Sequence, residues 1–316
     1  MYVCNLKLKM KYLHLIRYKN LVLIAFMQLL FCFGFLKTQN IDLALANWQY
    51  CLLVLATLLI ASGGFIIKTI FDQEADLENQ KKVIIGQTIS EKSAYTIYFI
   101  VNIIGVSIAF YLSQIIQRPN FVVFFILIVT ILYFYATSLK QMPLIGNIAV
   151  AFIVSFSVLV IGIYQLLPAT DAMNKVQMRT LFSILSDFAI IAFILNLIRE
   201  IIKDLENFKG DDSIGMRTLP IVLGIKKTTI LVAFLILIPI VLIVLYCNNY
   251  LMANKLYYAT AYILLTIIAP LTYSLIKITT SKSKSDFSYL STVLKIVLFF
   301  GCVSIVIISQ NIIHNG

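Results

Sequence analysis

Charge is what this sequence has least of. Only 12% of its 316 residues are Asp, Glu, Lys or Arg, while 61% are hydrophobic. A soluble domain carries roughly twice that charged fraction, so a soluble globular fold is excluded. Several apolar runs approach or exceed the ~20 residues that cross a bilayer, and they recur along the whole chain. A lone N-terminal signal peptide therefore does not account for them. Histidine is nearly missing: His14 and His314 lie near opposite ends without a neighbouring ligand set, which excludes a zinc or haem site. The five cysteines (Cys4, Cys32, Cys51, Cys247, Cys302) show no CxxC spacing. They read as small apolar packing residues rather than metal ligands or a disulfide framework.

What is present is a series of nine apolar spans, near 20–36, 48–70, 93–116, 120–138, 143–167, 179–198, 228–247, 256–276 and 289–312. Trp48, Tyr95, Tyr111, Tyr133 and Tyr257 sit near span ends, where amphipathic rings favour the interface. Pro143 starts the fifth span, and Pro239 and Pro270 are expected to kink the seventh and eighth. No linker or composition shift divides the chain, so 1–316 reads as one all-α, polytopic membrane domain. Of the 25 Lys and Arg residues, 19 fall on one side of the membrane, five on the other, and Lys295 within the ninth span. By the positive-inside rule the richer side, with the N-terminus, is cytoplasmic, and nine spans leave the C-terminus outside. The expected location is a bacterial cytoplasmic membrane. The net charge of +11 needs no nucleic-acid partner; it describes a face that attracts anionic membrane lipids and anionic substrates.

Acids number only 14, and nine of them fall in two short stretches on that basic side. Asp72, Glu74, Asp76 and Glu78 follow span two; Glu200, Asp204, Glu206, Asp211 and Asp212 follow span six. At 3.6 residues per turn, Lys68, Asp72 and Asp76 lie within about 80° of one another, and Glu200, Asp204, Asn207 and Asp211 within about 60°. If two such stripes face each other, repulsion raises their pKa values unless a cation lies between them. A hard divalent ion with oxygen ligands resolves this, and Mg²⁺ commonly bridges carboxylates to substrate phosphates. Lys140 stands alone in the turn between spans four and five on the same face, while Arg199, Lys203 and Arg217 flank the second stripe. Carboxylate, Mg²⁺, diphosphate and Lys/Arg then form a consistent electrostatic stack. For Lys140 a purely topogenic role stays open. Within the spans, only Asp187 and Lys295 approach the bilayer midplane, where a transporter would place its ionisable groups. They are expected to pair if spans six and nine touch.

Three stretches carry a family resemblance. KTIFDQEADLENQKKVIIGQTIS (68–90) resembles the first aspartate-rich motif of the UbiA superfamily of intramembrane prenyltransferases. Asp72, Asp76, Asn79, Gly86, Ile89 and Ser90 are retained, but Lys68 and Thr69 replace the usual Asn-Asp pair and the loop prolines are missing. REIIKDLENFKGDDSIGMRTLPIVLG (199–224) resembles the second motif, most of all in the branch that prenylates geranylgeranylglyceryl phosphate, with Asn207 in place of an aspartate. YATSLKQMPLIGN (135–147) resembles the connection between helices four and five.

The resemblance implies nine transmembrane helices around a central lipid-accessible cavity, with Mg²⁺-assisted ionisation of an allylic polyprenyl diphosphate. The resulting carbocation is then captured by a hydrophobic acceptor, a glyceryl phosphate lipid or an aromatic or quinone precursor. It implies Asp72 and Asp76 as ligands of one Mg²⁺ and Asp204 and Asp211 of a second, with Glu200 assisting. Lys140 and Arg199 are implied on the diphosphate. Lys68, standing where the motif has asparagine, reads by its charge either as a further diphosphate contact or as an occupant of the ion's place. The alternative is a catalytically weak or inactive paralogue that binds lipid or assists a partner, since Lys68 and Asn207 both depart from the motifs.

Overall fold

The computed structural model describes residues 11–80 and 83–315. Cys4 and four of the basic residues counted above, Lys7, Lys9, Lys81 and Lys82, lie outside the described residues. Among those described, nine helices are long and apolar enough to cross a membrane. They are α1 (Tyr18–Gln39), α2 (Asn47–Phe71), α3 (Glu91–Ile115), α4 (Pro119–Thr137), α5 (Ile145–Gln165), α6 (Lys175–Ser213), α7 (Ile225–Met252), α8 (Tyr257–Thr280) and α9 (Lys284–Ile313). The chain is an all-helical integral membrane protein. With no water to satisfy backbone groups in hydrocarbon, runs of this apolarity fold as helices.

Helix α2 packs on α3 and α4, α5 on α6, and α6 on α7 and α9; α9 also meets α1 and closes the ring. Phe99, Ile103, Phe234 and Leu265 are exposed on the outer faces, where lipid is the solvent. Polar side chains turn inward and bond across helices. Gln28 Nε2 donates to the Ser157 carbonyl at 3.0 Å, and Tyr50 Oη donates to the Gln28 carbonyl at 2.6 Å. The hydroxyls of Ser113 and Tyr164 lie 2.8 Å apart. Such bonds hold helices together where burial of apolar surface gives little net drive.

Three features position the site. First, α6 is 39 residues long, about 58 Å at 1.5 Å per residue, nearly twice the ~30 Å hydrocarbon core. The expected span 179–198 is only its membrane part, and the remainder carries the whole second acid stretch on one continuous helix. Nothing breaks it until Gly215, whose left-handed φ of 71° lets its N–H bond the Asp212 carbonyl while Met216 N–H bonds that of Asp211. Second, α2 does not continue through the first acid stretch. It stops at Phe71, Asp72 takes φ −96° and ψ 5°, and a short helix Gln73–Glu78 follows. The Asp76 N–H still bonds the Asp72 carbonyl at 2.8 Å, so the turn is distorted rather than lost. Third, Ser90 caps α3 by accepting from the Ser93 N–H, which ends the loop returning from the site.

Pro239 lies inside the α-helix Ile225–Tyr246 without interrupting it. Pro270 lies two residues beyond a π-helical turn, Leu264–Ile268. Without an N–H it leaves the carbonyl four residues back unbonded, and the wider turn takes up the mismatch. The expected pairing of Asp187 with Lys295 is not formed. Lys295 Nζ donates to Asn20 Oδ1 at 3.1 Å and lines the central cavity. Asp187 lines a different cavity, between α6, α7, α8 and α9. Touching helices were not sufficient, because the two side chains leave them on different sides.

Candidate active site

The two acid stretches meet at one end of the bundle. Asn79, at the end of the short helix Gln73–Glu78, donates through Nδ2 to Asp211 Oδ1 of α6 at 3.1 Å. Ser213 Oγ donates to Glu78 Oε2 at 3.4 Å. Gly210 makes the approach possible. A Cβ at that position would lie 2.5 Å from the Asn79 side chain. Lys284 Nζ at the start of α9 donates to the Asn79 carbonyl at 2.9 Å and fixes the junction from the other side.

Each predicted residue has a definite setting. Asp72 is buried, and Lys140 Nζ contacts its Oδ1 at 2.5 Å while Lys68 Nζ stands 3.7 Å from its Oδ2. Burial pushes the Asp72 carboxyl up, but Lys68 and then Lys140 outweigh it and hold the group below the usual carboxylate range. Lys140 also donates to the Phe71 carbonyl at 2.9 Å, and Lys68 to Tyr135 Oη at 2.8 Å. The turn bearing Lys140 is pressed on the start of α5, where a Cβ on Gly146 would lie 2.7 Å from the Leu139 carbonyl oxygen.

On α6, Asp204 Oδ2 accepts from Asn147 Nδ2 at 2.8 Å. Glu200 is buried and accepts from Lys203 Nζ at 2.6 Å and Arg199 Nη1 at 3.3 Å. Asp76 is half-buried on the short helix, one turn beyond Asp72. Asp72 and Asp211 thus belong to one assembly, joined through the short helix that follows Asp72 and through Asn79, which bonds Asp211. Lys68, Arg199 and Glu200 face the cavity behind it.

That cavity encloses about 1320 Å³ including its open mouth. Its apolar wall comes from residues such as Ile60, Phe125, Ile128, Ile153, Phe156 and Leu298. Its polar end gathers five cations, Arg17, Lys68, Arg199, Lys203 and Lys295, against the single carboxylate Glu200. Arg199 Nε is buried with no hydrogen-bond partner. A buried donor without a partner costs about 1–3 kcal/mol, and an anionic ligand reaching this end would satisfy it.

The motifs imply Mg²⁺, and the donor chemistry fits it. Asp204 and Asp211 are hard oxygen donors, and Asn207 Oδ1, on the same face of α6, is buried with no hydrogen-bond partner. Among the described residues, no three Asp, Glu, His or Cys side chains are already gathered as a closed metal cluster.

The sequence profile of the UbiA prenyltransferase family matches residues 20–300. The chain belongs to the UbiA prenyltransferase family. Curated relatives include the digeranylgeranylglyceryl phosphate synthase of Korarchaeum cryptofilum, 33% identical over 61% of this chain and 64% of that one. The protein of that name from Saccharolobus solfataricus is 30% identical over 72% of this chain and 76% of its own. A third, from Pyrococcus furiosus, is 31% identical over 54% of this chain. The chain spans 64% and 56% of the lengths of the Korarchaeum and Pyrococcus relatives. Among solved structures, one described for digeranylgeranylglyceryl phosphate synthase in membranes superposes with a TM-score of 0.65, at 20% identity, over 96% of this chain and 99% of that one. A UbiA homolog from Archaeoglobus fulgidus bound to GPP and Mg²⁺ gives 0.59 at 17% identity, over 93% and 99%. At such identities these structures establish the UbiA fold.

Several site residues escaped the sequence reading. Arg17 carries no local motif, and Lys295, noted above only as an expected partner of Asp187, comes from the opposite end of the chain to line the same cavity. Asn147 and Tyr135 lie inside the quoted 135–147 stretch, where their identity was visible but their partners, Asp204 and Lys68, were not. Asn79 was visible as a retained motif residue, and only the fold shows that it joins the two stretches.

Proposed function

We propose that the protein transfers a polyprenyl group from an allylic prenyl diphosphate to a hydrophobic acceptor, with Mg²⁺ as cofactor. The observation that carries this is the junction of the two acid stretches beside an apolar cavity whose polar end is cationic. The apolar wall suits an isoprenoid tail and excludes the water that would capture a carbocation. Breaking the allylic C–O bond leaves its electron pair on the diphosphate, and Lys68, Lys140 and Arg199 are placed to stabilise that charge. Asp204 and Asp211, with Glu200 and Asp76 nearby, are the groups we assign to Mg²⁺, together with Asn207 Oδ1. Bound there, the ion would supply Lewis-acid neutralisation of diphosphate oxygens. Asp72 stands beside this set, and its role is taken up below.

The names of the relatives favour a geranylgeranylglyceryl phosphate-type acceptor over an aromatic one. The cationic end of the cavity supports the same preference, because such an acceptor brings a phosphate. Membrane lipids are the expected surroundings and the route of entry. The basic-residue asymmetry supports a cytoplasmic N-terminus and active site. The relatives named above are archaeal, so a bacterial host draws no support from them.

The test is incubation of purified protein with Mg²⁺ and labelled prenyl diphosphates against glyceryl phosphate and aromatic acceptors. The expected result is one class of prenylated product that disappears with chelator. A second reading, a lipid-binding paralogue without turnover, draws on the two lysines that occupy Asp72. It is favoured if prenyl diphosphate binds but no acceptor yields product.

A further inference from the structure

Asp72 already has cations of its own. Both carboxylate oxygens face ammonium groups, Lys140 at 2.5 Å and Lys68 at 3.7 Å, and each lysine is anchored by a second partner, the Phe71 carbonyl and Tyr135 Oη. Lys68 is also within electrostatic reach of Glu200 and Asp204 on α6. Facing carboxylate stretches need positive charge between them, and here a side chain supplies part of it. The Lys68 ammonium stands 3.7 Å from Asp72 Oδ2, and a divalent ion held by the same carboxylate would be repelled by it, strongly where solvent is scarce. The α6 side differs. Asp204 accepts its hydrogen bond from a neutral amide, and Asn207 Oδ1 on the same helix face is buried without a donor.

We infer that Lys68 is the resident cation of the first acid stretch, so that this chain binds one divalent ion, centred on Asp204 and Asp211, instead of two. This rests on the metal-dependent reading above. Asp72 then serves as a positioning residue: it holds the Lys68 and Lys140 ammonium groups where a diphosphate arrives. Lys68 replaces the charge of a metal ion with a covalently tethered one. The tethered charge is smaller, but it pays no cost of recruitment from solution.

Metal stoichiometry tests this without reference to turnover. Purified protein in detergent is titrated with Mn²⁺ alone, and free Mn²⁺ is followed by electron paramagnetic resonance. Wild type is expected to bind one Mn²⁺ per chain, displaced by excess Mg²⁺. Lys68→Asn is expected to bind two, and Asp204→Asn to lose most of the wild-type binding. Two ions in wild type, none in wild type, or one in Lys68→Asn would each overturn the inference. If Lys68→Asn does not fold, Lys68→Gln takes its place, and the wild-type count decides on its own. The prenyl-transfer assay is separate. A wild type that binds one Mn²⁺ and transfers nothing defeats the proposed function alone, whereas one that transfers and binds two defeats this inference alone.

Discussion

At the scale of single residues, Asp72 is a buried acid held between two lysines. Its carboxyl is held below the usual range because Lys68 and Lys140 outweigh the effect of burial. A depressed carboxylate contributes stability that is present above the unfolded pKa of about 3.9 and is lost as pH falls through the lower folded value. Wild-type protein is therefore expected to lose melting temperature on acidification below about pH 4. Asp72→Asn removes the carboxylate partner of two half-buried ammonium groups, a change whose upper bound is the roughly 3–5 kcal/mol lost in fully buried pairs. Its melting temperature should fall furthest below wild type near neutral pH and approach it at the acid end. Parallel curves for the two proteins would show that the lysines do not govern Asp72. Asp204 carries a different load. Asp204→Asn should keep the fold, since Asn147 can still bond an amide oxygen, while kcat/KM for prenyl transfer drops by about 10²–10³, the usual loss when one electrostatic stabiliser is removed. A drop below tenfold would take Asp204 out of the reacting assembly.

At the scale of elements, two glycines set close approaches beside the site, and their substitutions should fail in different ways. In Gly146→Ala the new Cβ meets backbone, the Leu139 carbonyl oxygen at 2.7 Å, which does not rotate away. The expected cost is about 1–3 kcal/mol of overpacking, with a displaced Lys140 and a raised KM for prenyl diphosphate. In Gly210→Ala the Cβ meets the Asn79 side chain, which swings aside and gives up its bond to Asp211. Thermal stability should then change little while Mn²⁺ affinity falls about tenfold or more; unchanged affinity would show that the Asn79 bond does not orient Asp211. This is also where legibility from sequence ends. The spans, the two acid stretches and the helical stripe over Glu200, Asp204, Asn207 and Asp211 are local patterns, and a 3.6-residue period displays them directly. The break at Asp72 was hidden because no glycine or proline marks it. The extension of α6 past the membrane was hidden because apolarity, not helicity, defined the span. Periodicity says which residues share a face but not which helix the face meets, so the Asn79–Asp211 contact and the convergence of Arg17 with Lys295 needed the fold.

At the scale of the whole molecule, the proposed site has to lie on one side of the membrane, and the distribution of charge predicts which. The connections bearing Asp72 to Ser90, Lys140, Arg217 and Lys282 share one end of the bundle because each follows an even-numbered helix. By sequence position 19 of the 25 Lys and Arg residues are assigned to that side, against five to the other. Basic loops of this length resist translocation, so the richer end is expected in the cytoplasm. A cytoplasmic site suits the proposed chemistry as well: a diphosphate product would leave into water, and a basic rim beside anionic lipid headgroups would concentrate anionic substrates. Cysteine accessibility checks it. In a background with the five native cysteines replaced, Asp42→Cys and Lys282→Cys place one thiol at each end, both at exposed positions. A membrane-impermeant maleimide applied to intact cells should label position 42 and reach position 282 only after permeabilisation. The opposite pattern would put the acid stretches on the outer face. Access to prenyl diphosphate made inside the cell would then be lost, and the assignment of this end as the active site would fail with it.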